Sequence, residues 1–240
     1  MDGADKIPVT CVPGTTGCPP NPQFVYVNPS EVAPYFQMAQ HYTFADRMFQ
    51  TNQGPSFPAH QFIISGTSAP TATSNLFAAE NPNGVPNAFG NTGCTAPTGE
   101  FVTLIDPMGK ESSTQYPCFE HATLTDLLDL KKVGWRYYTP SAGFIWTGPN
   151  AIQHICVPDA TGTVCTGPDW TNNVILRQTQ VLTDIANGQL PAVSWVIPSG
   201  QQSDHPQMND GSGPSWVASI VNSIGNSPYW SNTAIFITVG

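Results

Sequence analysis

The sequence predicts an α/β fold in which a mostly parallel central sheet is flanked by helices. Helices and apolar strands alternate through the second half of the chain, and the last apolar run is continuous, as in a strand covered on both faces. The 240 residues are 40% hydrophobic and only 10% charged, which supplies a sizeable core. No domain boundary is visible, so we expect one domain over residues 1–240.

In the first half, turn residues and apolar runs define the predicted elements. Helix starts are indicated by Ser30, as an N-cap, and by the turn Gly54-Pro55-Ser56. The glycine, proline and asparagine content of residues 66–100 predicts a long loop. The predicted elements are a strand at Phe24–Val27, helices at Ser30–His41 and Phe57–Ser65, and a strand at Phe101–Ile105.

In the second half, the same reasoning gives alternating helices and strands. Thr123 or Thr125 is the expected cap of the first helix, and Gly188 ends the amphipathic third one. The predicted helices are Ala122–Leu130, a short one at Pro149–His154, Val174–Asn187 and Ser215–Ile224. The predicted strands are Trp135–Tyr138, Ala192–Ile197 and Ala234–Val239.

The charge balance excludes several classes of partner. The net charge is −9, with only seven lysines and arginines, and no basic stripe that could neutralise a nucleic acid. A purely electrostatic hold on anionic lipid is disfavoured for the same reason. No stretch reaches the roughly 18 apolar residues of a transmembrane segment. The beginning of the chain has no apolar leader, so for an exported protein we expect a leader upstream of residue 1.

Six cysteines without a CxxC motif favour disulfides in a secreted or periplasmic protein. The alternative is a cytosolic protein with six unpaired thiols. Six cysteines allow fifteen pairings. Proximity along the chain favours the pairs Cys11–Cys18, Cys94–Cys118 and Cys156–Cys165.

Ser56 is the first candidate for chemistry, because the preceding Gly-Pro turn places it at the start of a helix. Free backbone N–H groups and the positive end of the helix dipole favour a phosphate there. A hydroxyl in that position can attack phosphorus when a metal ion or a base activates it. The alternative is an ordinary N-cap serine. His60 lies one turn later and is either close to Ser56 or on the helix surface.

His205 is the second candidate, within the polar loop that follows the strand Ala192–Ile197. Ligands of open parallel sheets bind beyond the carboxyl ends of the strands, where a histidine can hold a phosphoryl oxygen or protonate a leaving group. The alternative is a solvated loop histidine. The other three histidines, His41, His121 and His154, are interpreted as structural.

Aromatic residues cluster between positions 135 and 146, and either line a substrate cleft or pack in the core, which is the default interpretation. They are Trp135, Tyr137, Tyr138, Phe144 and Trp146. Sequences typical of α/β-hydrolases, nucleotide-binding loops and zinc proteases (GxSxG, GxxxxGK[ST], GxGxxG and HExxH) do not occur.

Three ordered segments resemble a bacterial phosphoesterase family that contains phosphocholine-type phospholipases C and acid phosphatases, with an alkaline-phosphatase-like fold. They are YTFADRMFQTNQGPSFPAHQFIISG at Tyr42–Gly66, TLTDLLDLKKVGWRYYTP at Thr123–Pro140, and Ser203–Pro206 followed by GPSW and Ile220–Phe236. The resemblance covers roughly residues 24–239.

The resemblance implies phosphoester hydrolysis through a phosphoserine on Ser56, with His205 contacting the phosphate. His60 and Asp204 are then expected to bind substrate. The substrate is a phosphate ester or a phospholipid. A divalent metal ion is implied as cofactor, with Ser56 as one ligand.

Two motifs of the family are missing from the sequence, namely Glu-Asn-x-Ser-Phe-Asp and the acidic pair that follows the strand matching Ala234–Val239. We therefore expect the chain to be truncated at both ends, with the other metal ligands outside it. An inactive fragment is one consequence. A non-catalytic secreted binding protein that uses the aromatic cleft is the alternative function.

Overall fold

The computed structural model describes residues 26–52, 54–85, 91–205, 208 and 210–238. The described residues within Met1–Asp46 and Gly200–Ser219 form one compact unit, and those within Arg47–Ser199 and Ile220–Gly240 form a second. The expectation of a single, incomplete domain stays a prediction. No helix in the described ranges has the length and apolar character needed to cross a bilayer.

The structure contains α-helices, short 3₁₀ turns and strands, which we number in chain order. The helices are α1 (Ala33–His41), α2 (Ser56–Ser65), α3 (Leu124–Leu130), α4 (Pro168–Asn173), α5 (Gln180–Ala186) and α6 (Gly213–Gly225). The strands are β1 (Phe77–Ala78), β2 (Val102–Ile105), β3 (Glu111–Gln115), β4 (Trp135–Tyr138), β5 (Val174–Ile175) and β6 (Val193–Val196). The 3₁₀ turns are Gly93–Thr95, Gly148–Ala151, Gly200–Gln202 and Trp230–Asn232.

The described strands form two three-stranded sheets, both in the second unit. One is parallel, in the order β5-β4-β6, with Tyr137 opposite Val174 and Trp195. The other is antiparallel, in the order β1-β2-β3. The α/β class is therefore confirmed, but a mostly parallel central sheet is not, because half of the described strands belong to the antiparallel sheet. Of its strands, only β2 is predicted from the sequence. β1 lies within the predicted loop 66–100, and β3 is a polar segment with no apolar strand pattern.

The core of the second unit has two apolar clusters. One surrounds β4 and contains Trp135, Tyr137 and Ile152, all almost fully buried. The other contains Phe57 of α2, which packs edge-to-face against Phe119 with ring centroids 6.0 Å apart. The first residues of α2 are thus anchored by a buried aromatic ring directly after Ser56.

Two of the predicted disulfides, Cys94–Cys118 and Cys156–Cys165, are present. The predicted Cys11–Cys18 pair lies outside the described residues. No described cysteine is free, so for these four the alternative of unpaired thiols is wrong.

Several predicted elements agree with the structure to within about two residues at each end. They correspond to α2, β2, β4, β6 and α6. The α3 cap is Thr123, whose capping box with Asp126 is complete. The short helix predicted at Pro149–His154 is a 3₁₀ turn at Gly148–Ala151.

Other predicted elements are wrong. Ser30 is not the N-cap of α1, because its N–H and hydroxyl both donate to Asn28 Oδ1 in a turn that precedes the helix, and Val32 takes the cap position. Of the strand predicted at Phe24–Val27, residues 26 and 27 are described, and neither is in a strand.

The helix predicted over Val174–Asn187 is two elements, because Val174 and Ile175 pair with β4 as β5, and α5 contains only Gln180–Ala186. The strand predicted at Ala234–Val239 is also wrong over its described residues 234–238, where Phe236 is 86% exposed. An apolar run forms a strand only where a sheet edge pairs with it, and no described strand pairs with this segment.

Candidate functional site

The turn that leads into α2 is fixed by glycine. Gly54 has φ +122°, a backbone conformation that residues with a side chain rarely adopt. A Cβ at this position would lie 2.3 Å from the carbonyl oxygen of Ala79. Pro55 follows in an extended conformation as the N-cap, and Ser56 is the first helical residue. Ser56 therefore lies at the amino end of α2, as the sequence predicts.

The Ser56 side chain is half-buried and does not cap its own helix, because the cap is Pro55 and no side-chain capping bond is formed. No hydrogen bond joins its hydroxyl to any residue that the structure describes. The interpretation of Ser56 as an ordinary N-cap serine is therefore wrong, and the hydroxyl has no structural partner among these residues.

The amino end of α2 offers fewer free N–H groups than the sequence suggests. The N–H of Phe57 donates to Asn81 Oδ1 at 2.9 Å, and Pro58 has no N–H. Among the residues that the structure describes, none accepts a hydrogen bond from the Ser56 amide, so it alone of the first three helical positions has an N–H without a described partner. Nothing in the sequence around Asn81 signals this contact, because it joins positions 24 residues apart.

His60 lies one turn after Ser56, with its ring against the parallel sheet. The hydroxyl of Tyr137 on β4 is 3.4 Å from His60 Nδ1 and donates to the carbonyl of Trp146 at 2.8 Å. Burial lowers the pKa of His60 to about 4, so the ring is neutral at pH 7. A Cβ on Gly148 would lie 2.6 Å from the His60 carbonyl, which shows how closely α2 approaches this 3₁₀ turn.

Asp204 and His205 lie in the other compact unit. Asp204 accepts a hydrogen bond from the Tyr35 hydroxyl at 2.6 Å and adopts a left-handed backbone with φ +57°. Burial and this carboxylate raise the pKa of Tyr35. His205 is exposed, and its N–H donates to Ser203 Oγ at 3.2 Å. Ser56 and His60 form one group and Asp204 and His205 another; their cooperation on one phosphoryl group stays a prediction.

A sequence model described as the Phosphoesterase family matches residues 20–239. The chain belongs to the phosphoesterase family. It is also similar to a curated relative, the non-hemolytic phospholipase C of Burkholderia pseudomallei, with 38% identity over 56 residues. That alignment covers 23% of this chain and only 8% of the relative.

Membership of this family implies a metal ion, but the described residues do not fit one. They contain no group of three histidine, cysteine, aspartate or glutamate side chains placed to hold a metal ion. Among the described residues, the groups found next to the start of α2 are the Asn81 amide oxygen and the Ala79 carbonyl oxygen, neither of which is a carboxylate. No step is therefore derived through a metal ion.

Two of the remaining histidines have structural partners. His121 is buried, with Nδ1 2.6 Å from the Ala69 carbonyl and Nε2 3.1 Å from Ser65 Oγ. His154 lies between two carboxylates, 2.8 Å from Glu120 and 3.3 Å from Asp126. These carboxylates are distant in sequence, so spacing does not reveal them.

The aromatic cluster forms core rather than a cleft at three of its five positions. Trp135, Tyr137 and Tyr138 are at most 2% exposed. Phe144 and Trp146 are partly buried and stack on each other, with centroids 4.6 Å apart. The core interpretation is confirmed for the first three, and the binding-protein alternative loses most of its proposed surface.

Proposed function

We propose that this chain carries the nucleophile of a phosphoric ester hydrolase of the phospholipase C or acid phosphatase type, and that Ser56 is the nucleophile. The observation that carries the proposal is the hydroxyl at the amino end of α2, without a structural partner among the described residues, in a chain of the phosphoesterase family. The 38% identity with part of a phospholipase C supports the same reaction class.

The reaction begins with attack of Ser56 Oγ on phosphorus. As the Oγ–P bond forms, the P–O bond to the leaving alcohol breaks, and the Ser56 proton is passed through solvent to the leaving oxygen. Water then attacks phosphorus, the Oγ–P bond breaks, and one proton of the attacking water is passed to Ser56 Oγ as the phosphate product leaves. The Ser56 N–H donates to a phosphoryl oxygen, assisted by the positive end of the helix dipole.

Because His60 is neutral at pH 7, its proposed role is that of a hydrogen-bonding group and not of a cation. A ring held at this pKa is also a weak base, so we do not assign it the serine proton. The contact with Tyr137 orients the ring and leaves Nε2 for substrate.

The remaining assignments rest on the resemblance alone. His205 is proposed to contact the phosphate and Asp204 to bind substrate. A divalent ion is proposed as cofactor, with Ser56 as a ligand and the other ligands outside the described residues. The two disulfides support a secreted or periplasmic location.

The decisive experiment compares Ser56→Ala with Ser113→Ala in the full-length protein. Ser113 is an exposed serine of β3 and serves as the matched control. Hydrolysis of p-nitrophenyl phosphate reports monoesterase activity, and hydrolysis of p-nitrophenylphosphorylcholine reports diesterase activity. Each is measured with and without EDTA, which tests the requirement for a metal ion. Loss of a nucleophile is expected to lower kcat by roughly 10³-fold or more.

Acid quenching during turnover, followed by mass spectrometry, provides a second readout. The proposal expects a phosphate adduct on Ser56 in the unsubstituted protein. Wild-type kcat in Ser56→Ala, or an adduct on a different residue, would overturn the assignment of the nucleophile.

A further inference from the structure

Helix α3 exposes leucines to solvent in place of polar residues. The side chains of Leu124, Leu127 and Leu130 are 41%, 59% and 73% exposed, whereas Leu128 packs against the core cluster around β4. Thr125 is 1% exposed. The helix therefore has a buried side and a separate apolar outer side.

Helix geometry places these leucines on one continuous face. Successive residues are rotated by about 100°, so Leu124, Leu127, Leu130 and Lys131 together span an arc of about 120°. Leu128 lies at the edge of the remaining arc, which faces the protein. We call the outer surface formed by Leu124, Leu127, Leu130 and Lys131, together with the exposed Lys132 that follows the helix with φ +54°, the α3 face.

The acidic residues of α3 are engaged on the other arc. Asp126 Oδ2 accepts from the Thr123 N–H at 2.6 Å, and its other oxygen lies 3.3 Å from His154 Nε2. Asp129 accepts from Trp135 Nε1 at 2.9 Å. Both carboxylates are thus hydrogen-bonded within the protein, although both residues remain exposed to solvent.

Positive charge borders the leucines at the carboxyl end of the helix. Lys131 and Lys132 are adjacent and exposed, and neither forms an ion pair with a described residue. They are two of only seven basic residues in the chain. At physiological ionic strength the Debye length is about 8 Å, so they act locally despite the negative net charge.

We propose that the α3 face docks on a phospholipid surface that contains anionic lipid. The leucines enter the interfacial region, and the two ammonium groups contact lipid phosphates. The choice of a lipid surface rests on the proposed function, because a phosphoesterase that acts on phospholipids must meet its substrate in a membrane or vesicle. α3 also packs against α2, the helix that begins with Ser56.

The test is flotation of the full-length protein with vesicles of phosphatidylcholine alone or mixed with phosphatidylserine. The variant Leu127→Asp/Leu130→Asp is expected to weaken binding by about tenfold or more, since two apolar contacts are replaced by charges. Leu176→Asp is the matched control, because Leu176 is 46% exposed and lies outside the α3 face. Circular dichroism and thermal melting establish that the variants fold.

The lysines are tested separately with Lys131→Gln/Lys132→Gln, for which Lys110→Gln is the control. This variant is expected to lose the preference for phosphatidylserine while it retains residual binding to phosphatidylcholine. Equal flotation of the leucine variant and its control would overturn the inference. The inference would also be overturned if the unsubstituted protein did not bind vesicles but self-associated in sedimentation, and the leucine variant lost this self-association. The α3 face would then bind a second copy of the chain.

Ser56→Ala separates this inference from the proposed function. A variant that floats normally but has lost hydrolysis supports both. Vesicle binding without any hydrolysis by the unsubstituted protein overturns the proposed function alone. Hydrolysis of soluble p-nitrophenyl esters without any vesicle binding overturns the lipid inference alone.

Discussion

Replacing Asp184 with alanine tests the electrostatic network that joins α5 to β4. Asp184 is 3% exposed and accepts from Arg136 at 2.5 Å, Tyr138 at 2.6 Å and Gln180 at 2.9 Å. Tyr138 is fully buried, so the substitution leaves its hydroxyl without this acceptor. The side chain of Arg136 is 32% exposed, and water can replace the carboxylate there.

The magnitude follows from the burial of each partner. An unsatisfied buried hydroxyl costs about 1–3 kcal/mol, whereas a partly exposed arginine adds little. The orphaned Tyr138 hydroxyl and the lost hydrogen bonds to Arg136 and Gln180 add up, so we expect Asp184→Ala to lower the free energy of unfolding by about 3 kcal/mol. In a Tyr138→Phe background no hydroxyl is orphaned, so the same substitution should cost about 1–2 kcal/mol less.

The assay is urea denaturation of the four proteins of this double-mutant cycle, followed by tryptophan fluorescence. Equal costs of Asp184→Ala with and without the Tyr138→Phe substitution would refute the reasoning, because the hydroxyl would then carry no part of the effect.

The same network predicts a pH dependence. Burial by itself raises the pKa of Asp184, but hydrogen bonds from Tyr138 and Gln180 and the charge of Arg136 lower it below its usual value. A carboxyl with a lowered pKa stabilises the fold above its unfolded pKa of about 3.9, and this contribution is lost as the pH falls through the folded pKa. The stability gap between the unsubstituted protein and Asp184→Asn should therefore be constant above about pH 5 and shrink in acid.

Two further predictions concern a glycine and a disulfide. Gly54→Ala should lower the free energy of unfolding by about 2 kcal/mol or more, because at φ +122° its Cβ would collide with the Ala79 carbonyl oxygen. Gly109→Ala is the control and should cost only about 1 kcal/mol, because Gly109 has φ +81° but open space around it; equal costs in urea denaturation would contradict the collision. Replacing Cys94 and Cys118 with serine should lower the free energy of unfolding by about 3.5 kcal/mol, because the disulfide restricts a loop of 24 residues in the unfolded chain. A urea midpoint equal to that of the oxidised protein would contradict this stabilising role.

Local chemistry explains which elements the sequence located correctly. The Gly54-Pro55-Ser56 turn starts α2, the Thr123–Asp126 pair caps α3, and the apolar WRYY and VSWV segments form β4 and β6. The deciding contacts of the α3 cap lie within a few residues along the chain. The patterns that mark the α2 start, β4 and β6 are also local, although β4 and β6 pair with each other across a long stretch of sequence. The phosphoesterase family was also recognisable from ordered motifs, and the family match confirms it.

The tertiary structure decided the features whose partners are distant. Val174 and Ile175 have a helical pattern but pair with β4, and described residues 234–238 have a strand pattern but no sheet edge to join. The contact of Asn81 with the start of α2 and that of Tyr137 with His60 span 24 and 77 residues.

The sequence by itself therefore determined the family, two disulfides and the placement of Ser56 at a helix start, because propensity, turn chemistry and proximity act locally. Only the folded chain decided that Ser56 has no capping role, that His60 is neutral, and that the Ser56 amide has no partner among the described residues. These properties depend on burial and on hydrogen-bond partners that no neighbouring residue specifies.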